Sequence, residues 1–367
     1  MAEINVPEIS TGKAVDILSN TYIAAIKKGY EYKDIRPVIM WGPTGVGKSQ
    51  SIFQIAGRIE KETGKQVQVK DIRLSNCALT DLIGIPVADK DREKTVWLKP
   101  EIFDYDETDK DKIIILFFDE LDKAAAAVQA AALQLILDRV SWTHKLPDNA
   151  FIIAAANPAR DTATFSTRMK PELLNRFRHF NIQPEFDSFR EWGMHNQLHP
   201  YVLGYLSYDN TKLYAEKENT NTAFPTPRSW KSVSDMLKLH SERSIDELSV
   251  DISSDIGTGT AIEFQAWCMV YKELPDTKKI FEGTETNYPK DPDVLHALVS
   301  SMSVYVAEHT DTLLDMELSN ACRYAMRFPV DFGTLFYRNI MEIDGITLRL
   351  MKIPEFAKWV EKHKIKV

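Results

Sequence analysis

Three glycines, a lysine and a serine crowd one short stretch, Gly42-Pro43-Thr44-Gly45-Val46-Gly47-Lys48-Ser49-Gln50, in the order G-x-x-x-x-G-K-S. Glycines let the backbone curl until its N–H groups converge on one concavity. A helix starting at Lys48 adds the positive end of its dipole to that concavity. The lysine can reach the outer phosphates of a nucleotide, and the Ser49 hydroxyl can ligate Mg2+. Such a cradle binds a triphosphate if a strand precedes it and a helix follows.

Hydrolysis needs more: an acid near the metal and a group that acts on the attacking water. "IIILFFDE" ends an apolar run with Asp119 and Glu120. At the tip of a strand beside the phosphate cradle, Asp119 can hold Mg2+ through water and Glu120 can polarise the attacking water. "FIIAAANP" places Asn157 at the end of another apolar run. An amide there can orient the water or touch the γ-phosphate, although Asn-Pro is also a common turn pair. In "PELLNRFRHF", Arg176 and Arg178 follow a short apolar turn, and taken alone they read as surface arginines. Arg228 falls in the first turn of a helix, where a cation opposes the dipole. A nearby anion would account for it, and so would solvent exposure.

These residues need elements to hold them. "RPVIMW" reads as a short buried strand before the glycines, and "KSQSIFQIAGRIEKE" sets Ile52, Ile55, Ala56 and Ile59 on one helical face after them. Residues 13–29 carry a helical stripe of Val15, Leu18, Tyr22 and Ile26. Strands are expected at 66–74, 113–118, 150–157 and 178–184, and a helix at 123–139. Strands that alternate with helices imply a parallel sheet covered on both faces. Residues 79–103 read as a surface insertion with a short helix or hairpin, and the charge run 104–112 as a solvated loop. From about residue 187 onward helical patterns take over. In "TPRSWKSVSDMLKLH" Thr226 can cap, Pro227 suits the first turn, and Trp230, Val233 and Leu237 form the apolar stripe. The stretch 257–274 reads as a glycine-rich turn followed by a helix.

Composition narrows the class. At 367 residues and 44% hydrophobic content, the chain has room for two or more globular domains. A net charge of -8 argues against a general affinity for nucleic acid, though not against a local basic patch. Cys77, Cys268 and Cys322 are odd in number and widely spaced; they fit no zinc spacing and no disulfide framework. Reduced, mostly buried thiols and a cytoplasmic location are the expectation. The opening "MAEINVPEIS" lacks the pattern of a signal peptide, and no apolar run reaches the length of a membrane span.

The set as a whole resembles the MoxR branch of the AAA+ ATPases over roughly residues 13–275. The pieces that carry the likeness are "GPTGVGKS", "FFDELDKAAAAVQAAALQLILDR", "HKLPDNAFIIAAANP", "PELLNRFRHF" and "FPTPRSW". The resemblance implies ATP and Mg2+ as ligands, with the phosphate cradle as Walker A and Asp119 with Glu120 as Walker B. It implies Asn157 as sensor 1, Arg176 as the arginine finger and Arg228 as the sensor 2 arginine. One departure stands out: the finger motif, usually Asp-Arg-Phe, here reads Asn175-Arg176-Phe177, with Arg178 a rival close by. "VADKDREKTVWLKP" and "RVSWTHKLPDN" occupy the places of the family's helix-2 insertion and of its hairpin before sensor 1.

The implied fold is α/β: a P-loop αβα core with a parallel sheet over residues 1–187, a helical lid over 188–275, and further C-terminal helices over 276–367. The implied activity is ATP hydrolysis in a ring, commonly a homo-hexamer, that remodels a partner protein. Family members often work with proteins that carry a von Willebrand factor A domain. Two other classes compete: a motor acting on nucleic acid, and a binding scaffold that holds nucleotide with negligible turnover.

Overall fold

The most apolar runs in the chain become the middle of one parallel sheet. In a computed structural model, β1 (Glu8–Ser10) leads into α1 (Thr11–Lys28), then β2 (Val38–Trp41), α2 (Lys48–Thr63) and β3 (Val67–Arg73). Next come α3 (Leu79–Ile83), β4 (Ile85–Ala88), β5 (Thr95–Leu98), β6 (Ile113–Asp119) and α4 (Ala126–Asp138). The series ends with β7 (Val140–Ser141), β8 (His144–Lys145), β9 (Ala150–Ala156) and β10 (Arg178–Gln183). The structure describes residues 6–103, 112–157, 174–215, 223–270 and 274–363. The expected solvated loop therefore lies, at 104–111, outside the described residues, as do Pro158 and the start of "PELLNRFRHF" up to Leu173. Two units are distinguished, Met1–Gln183 and Pro184–Val367.

In the first unit the six-stranded sheet runs β1-β10-β2-β9-β6-β3, with every neighbouring pair parallel. Strands β2, β6 and β9 are buried along their whole length, as central strands with both faces covered must be. On one face Ile39, Leu116, Phe118, Ile152 and Ala154 pack with Val128, Ala132, Leu135 and Ile136 of α4. The alternate residues point to the other side, where Tyr22 of α1 stacks on Phe151 with ring centroids 4.0 Å apart. The αβα layering expected from the alternation of elements is what forms. All of the helix-stripe residues Ile52, Ile55, Ala56 and Ile59 are buried.

The register decides what meets at the sheet's carboxyl edge. Trp41 at the end of β2 pairs with Ala156 at the end of β9, and β9 also pairs with β6. The loops after β2, β6 and β9 therefore leave the sheet side by side, the usual place for a ligand in an open parallel sheet. Two hairpins stand off this core. β4 pairs antiparallel with β5, and β7 with β8. The insertion at 79–103 thus holds both a short helix and a hairpin. Gly84, between them, has φ +87°, and a Cβ there would lie 2.1 Å from the Leu98 carbonyl oxygen, so no other residue fits.

The second unit is helical: α5 (Phe186–His195), α6 (Pro200–Tyr208), α7 (Pro227–Leu239), α8 (Ser249–Ile256), α9 (Thr258–Val270), α10 (Thr277–Glu282), α11 (Pro292–Glu308), α12 (Asp315–Ala325), α13 (Val330–Met341), α14 (Ile346–Leu350) and α15 (Pro354–His363). Helix α7 begins where the sequence signals it. The Thr226 hydroxyl accepts from the Ser229 N–H at 3.0 Å, and the Ser229 hydroxyl accepts from the Thr226 N–H at 2.8 Å. Trp230, Val233 and Leu237 are buried, and the Trp230 indole N–H donates to the Lys212 carbonyl at 2.8 Å. The three cysteines are free, Cys268 and Cys322 buried and Cys77 half-buried. Among the described residues no helix is long and apolar enough to cross a membrane.

Candidate functional site

Gly42 closes β2 by donating its N–H to the Ala156 carbonyl at 3.3 Å. A Cβ at Gly42 would lie 2.6 Å from the Ile182 carbonyl oxygen of β10, so the chain passes too close to its neighbour for any side chain. Pro43 and Thr44 follow, and the loop turns through Gly45 at φ +84° and Gly47 at φ +95°, a left-handed conformation that glycine adopts without strain. Between them Val46 is tied down by its carbonyl, which accepts from the Thr11 hydroxyl of α1 at 2.9 Å. Gly47 caps α2, whose first residues are Lys48, Ser49 and Gln50.

The Lys48 ammonium is buried under this loop. It donates to the Gly42 carbonyl at 2.6 Å, the Pro43 carbonyl at 2.9 Å and the Asn157 Oδ1 at 2.9 Å. The Ser49 hydroxyl donates to Asp119 Oδ2 at 2.7 Å, and Asp119 Oδ1 accepts from the Glu120 N–H at 2.8 Å. The structure thus brings together Lys48, Ser49, Asp119 and Asn157, from the ends of three adjacent strands. Asn157 Oδ1 faces an ammonium, which can only donate, so its Nδ2 is the end presented elsewhere.

Glu120 is held by two neighbours. Its backbone is left-handed, φ 56°, and turns the side chain toward Ser75 and Lys123. The Ser75 hydroxyl donates to Oε2, and the Lys123 ammonium donates to Oε1 at 3.0 Å. Burial pushes this carboxyl up. The bonds from Ser75 and Lys123 and the charges of Lys123 and Arg73 outweigh that and hold it below the usual glutamate range. Ser75 lies just beyond β3, a position the sequence reading did not single out. Its only signal is adjacency: β3 pairs with β6 along its full length, Arg73 opposite Asp119.

Arg176 stands apart from this cluster of contacts. Its side chain is 58% exposed and pairs with Asp138 at 3.2 Å. Its backbone is fixed, because the Arg36 Nε donates to the Arg176 carbonyl at 2.8 Å and Arg36 Nη2 donates to the Asn175 carbonyl. Arg178 lies over the Phe180 ring, 5.1 Å from its centroid. Arg228, in the first turn of α7, is exposed in the second unit.

The donor set fits a nucleotide with Mg2+. A buried ammonium that donates to the Gly42 and Pro43 carbonyls and to the Asn157 amide oxygen, at the mouth of a glycine-rich turn, suits an outer phosphate. A hydroxyl and a carboxylate within hydrogen-bond reach of each other are the hard oxygen ligands that Mg2+ prefers. Among the described residues no group of three or more His, Cys, Asp or Glu could hold a metal ion.

Comparison with known proteins agrees with this geometry. Residues 38–184 match the profile of the ATPase family associated with various cellular activities (AAA). That stretch, less than half of the chain, carries Lys48, Ser49, Asp119, Glu120, Asn157 and Arg176, while Arg228 lies beyond it; the match there is to an AAA-family domain. No curated protein matches the sequence. Similar solved structures include PCH-2 of C. elegans, at 14% identity over 70% of this chain and 67% of that one, TM-score 0.35. They include Hsp104 in a closed state, at 13% identity over 75% of this chain and 46% of that one, TM-score 0.36. A mutant of Thermotoga maritima RuvB is 15% identical over 84% of this chain and 88% of that one, TM-score 0.32. This chain therefore spans less than half of the Hsp104 chain, and likenesses at these scores carry no argument about activity.

Proposed function

We propose that this chain is an ATP hydrolase of the MoxR branch of AAA+ proteins, which works as a ring and couples turnover to the remodelling of a partner protein. The observation that supports this best is the joining of Lys48, Ser49, Asp119 and Asn157 by direct hydrogen bonds at the carboxyl edge of the sheet. In this reading residues 1–187 hold the nucleotide, 188–275 form the lid that carries Arg228, and 276–367 extend it.

Each side chain then has a task. The N–H groups of Gly45, Gly47, Lys48 and Ser49 line the phosphate cradle. Lys48 exchanges a carbonyl contact for a phosphate oxygen. Ser49 and Asp119 would hold Mg2+, which when bound neutralises phosphate charge. The Asn157 Nδ2 donates to the γ-phosphate or to the attacking water. Glu120, ionised at neutral pH, accepts that water's proton. Arg176 reaches a neighbouring subunit's nucleotide. The client is gripped on the apolar hairpins, where Trp97 packs against Trp142 with ring centroids 5.1 Å apart and Ile85 and Leu98 are exposed.

Phosphate release and nucleotide binding test the reading together. Lys48→Ala should lose binding of a fluorescent ATP analogue, because the cradle loses its side-chain cation. Glu120→Gln should bind ATP with Mg2+ yet turn over about 10²–10⁴-fold more slowly, the range for loss of general-base assistance. Wild-type affinity in the first variant removes the phosphate-cradle assignment. Wild-type turnover in the second moves the base elsewhere.

A further inference from the structure

Two acids follow β6 in quick succession and turn opposite ways. Glu120 is directed to Ser75 and Lys123, while Asp122, in the 3-10 turn Leu121–Lys123, is buried. Asp122 Oδ1 accepts from the backbone N–H of Asn157 at 3.1 Å. We infer that Asp122 is a positioning residue for the ATPase: by holding the peptide N–H of Asn157 it sets where the Asn157 side chain meets Lys48. The inference rests on the ATPase reading and deepens it.

Asn157 is the first residue beyond β9, so neither neighbouring ladder reaches it. The pairing of β2 with β9 ends at Trp41 and Ala156, and that of β6 with β9 at Phe118 and Ala154. Its buried N–H would be an orphan without a side-chain acceptor, and such an orphan is costly. Asp122 supplies the acceptor from across the sheet edge. The same residue, Asn157, bonds Lys48 Nζ through Oδ1 at 2.9 Å. A displacement of its backbone therefore moves both the amide that faces the phosphates and a partner of the ammonium that binds them. The choice of a carboxylate carries a penalty that a plain structural tie would avoid. Asp122 Oδ2 is buried with no hydrogen-bond partner among the described residues. Burying that oxygen unpaired is costly, and the 3.1 Å bond to Asn157 is no shorter than an ordinary N–H···O bond. Rigid placement, not fold stability, is what the arrangement favours.

The test is a double-variant cycle on steady-state ATP turnover with Asp122→Ala and Asn157→Ala. Asp122→Ala should lower kcat about tenfold or more while KM for ATP moves less than about threefold, since the placement matters most in the transition state. In the Asn157→Ala background, adding Asp122→Ala should change kcat less than about twofold, because the side chain it would misplace is gone. Asp122→Asn keeps an oxygen for the N–H and should stay within about threefold of the parent kcat. If Asp122→Ala does not fold, Asp122→Glu, which displaces the acceptor by one methylene, replaces it in the cycle. Equal losses in both backgrounds, wild-type kcat in Asp122→Ala, or Asp122→Asn as damaging as Asp122→Ala at equal thermal midpoint would each overturn the inference. Wild-type protein that releases no phosphate removes the ATPase reading and this inference with it. Wild-type turnover with additive losses removes the inference alone.

Discussion

Glu120 shows how far residue identity can be trusted and where neighbours take over. The acids after a buried strand and the serine of the phosphate cradle are legible as candidates, though the bond between Ser49 and Asp119 is a finding of the structure. The holding of Glu120 is not legible, because Ser75 is forty-five positions away in sequence and meets it only across the β3–β6 pairing. The consequence concerns pH. Burial acts to raise the Glu120 carboxyl, and the Ser75 and Lys123 bonds pull it below the usual range. A depressed carboxyl stays ionised as pH falls and is protonated only at the low value, so turnover that needs the base keeps its acid limb low. Ser75→Ala removes one of the lowering causes. Its acid limb should lie at higher pH than that of the wild type, with turnover at neutral pH retained. Phosphate release followed from neutral pH down into the carboxylate range reads this out. An acid limb that stays put or moves lower would disconnect Ser75 from the base.

Among the elements, β2, β6 and β9 were readable because burial on both faces demands unbroken apolar runs, and α7 because capping, proline and stripe agree. β1 was not. Glu8-Ile9-Ser10 has no pattern of its own and becomes a strand only through pairing with β10. Helix α4 starts at Ala126, later than its propensity suggests, since Leu121–Lys123 are taken by the 3-10 turn that places Asp122. The two hairpins could each be anticipated, but not their meeting. Trp97 is half-buried against Trp142, and Trp142 is the exposed member at 59%. An apolar ridge shared by two hairpins is larger than one side chain and suits an extended client segment. Trp142→Ala should therefore leave the thermal midpoint and basal phosphate release close to wild type while ATP-loaded Glu120→Gln protein loses its retained partner. A collapse of solubility would instead make the Trp97–Trp142 contact structural.

For the whole molecule, the proposed ring asks one chain to complete a site that another chain uses. Arg176 has a backbone gripped by Arg36 and a side chain turned outward, bonded to an equally exposed Asp138. A solvent-exposed pair of this kind is worth about 0–1 kcal/mol, so it yields readily to a phosphate. Arg178 is engaged over Phe180 in its own unit and makes the natural control. If Arg176 acts across a subunit boundary, Arg176→Ala keeps its own cradle complete and damages only its neighbour's chemistry. Lys48→Ala has the reverse defect, an empty cradle beside a working finger. Each variant alone should be nearly inactive. When the two are mixed, some Arg176→Ala subunits receive the finger of a Lys48→Ala neighbour, and those interfaces hold every catalytic part. Phosphate release should then rise above the sum of the separate variants. A ring that needs several consecutive working sites would mute the gain, so a small rise still supports transfer. A trans arginine contributes several powers of ten to phosphoryl transfer, about 10³–10⁵ in related chemistry, which leaves a wide window for detection. Full activity in Arg176→Ala alone, with Arg178→Ala inactive and rescued by mixing, would move the finger by two residues. Failure of both to be rescued, where subunits demonstrably exchange, would place the arginine's work within one subunit or outside catalysis altogether.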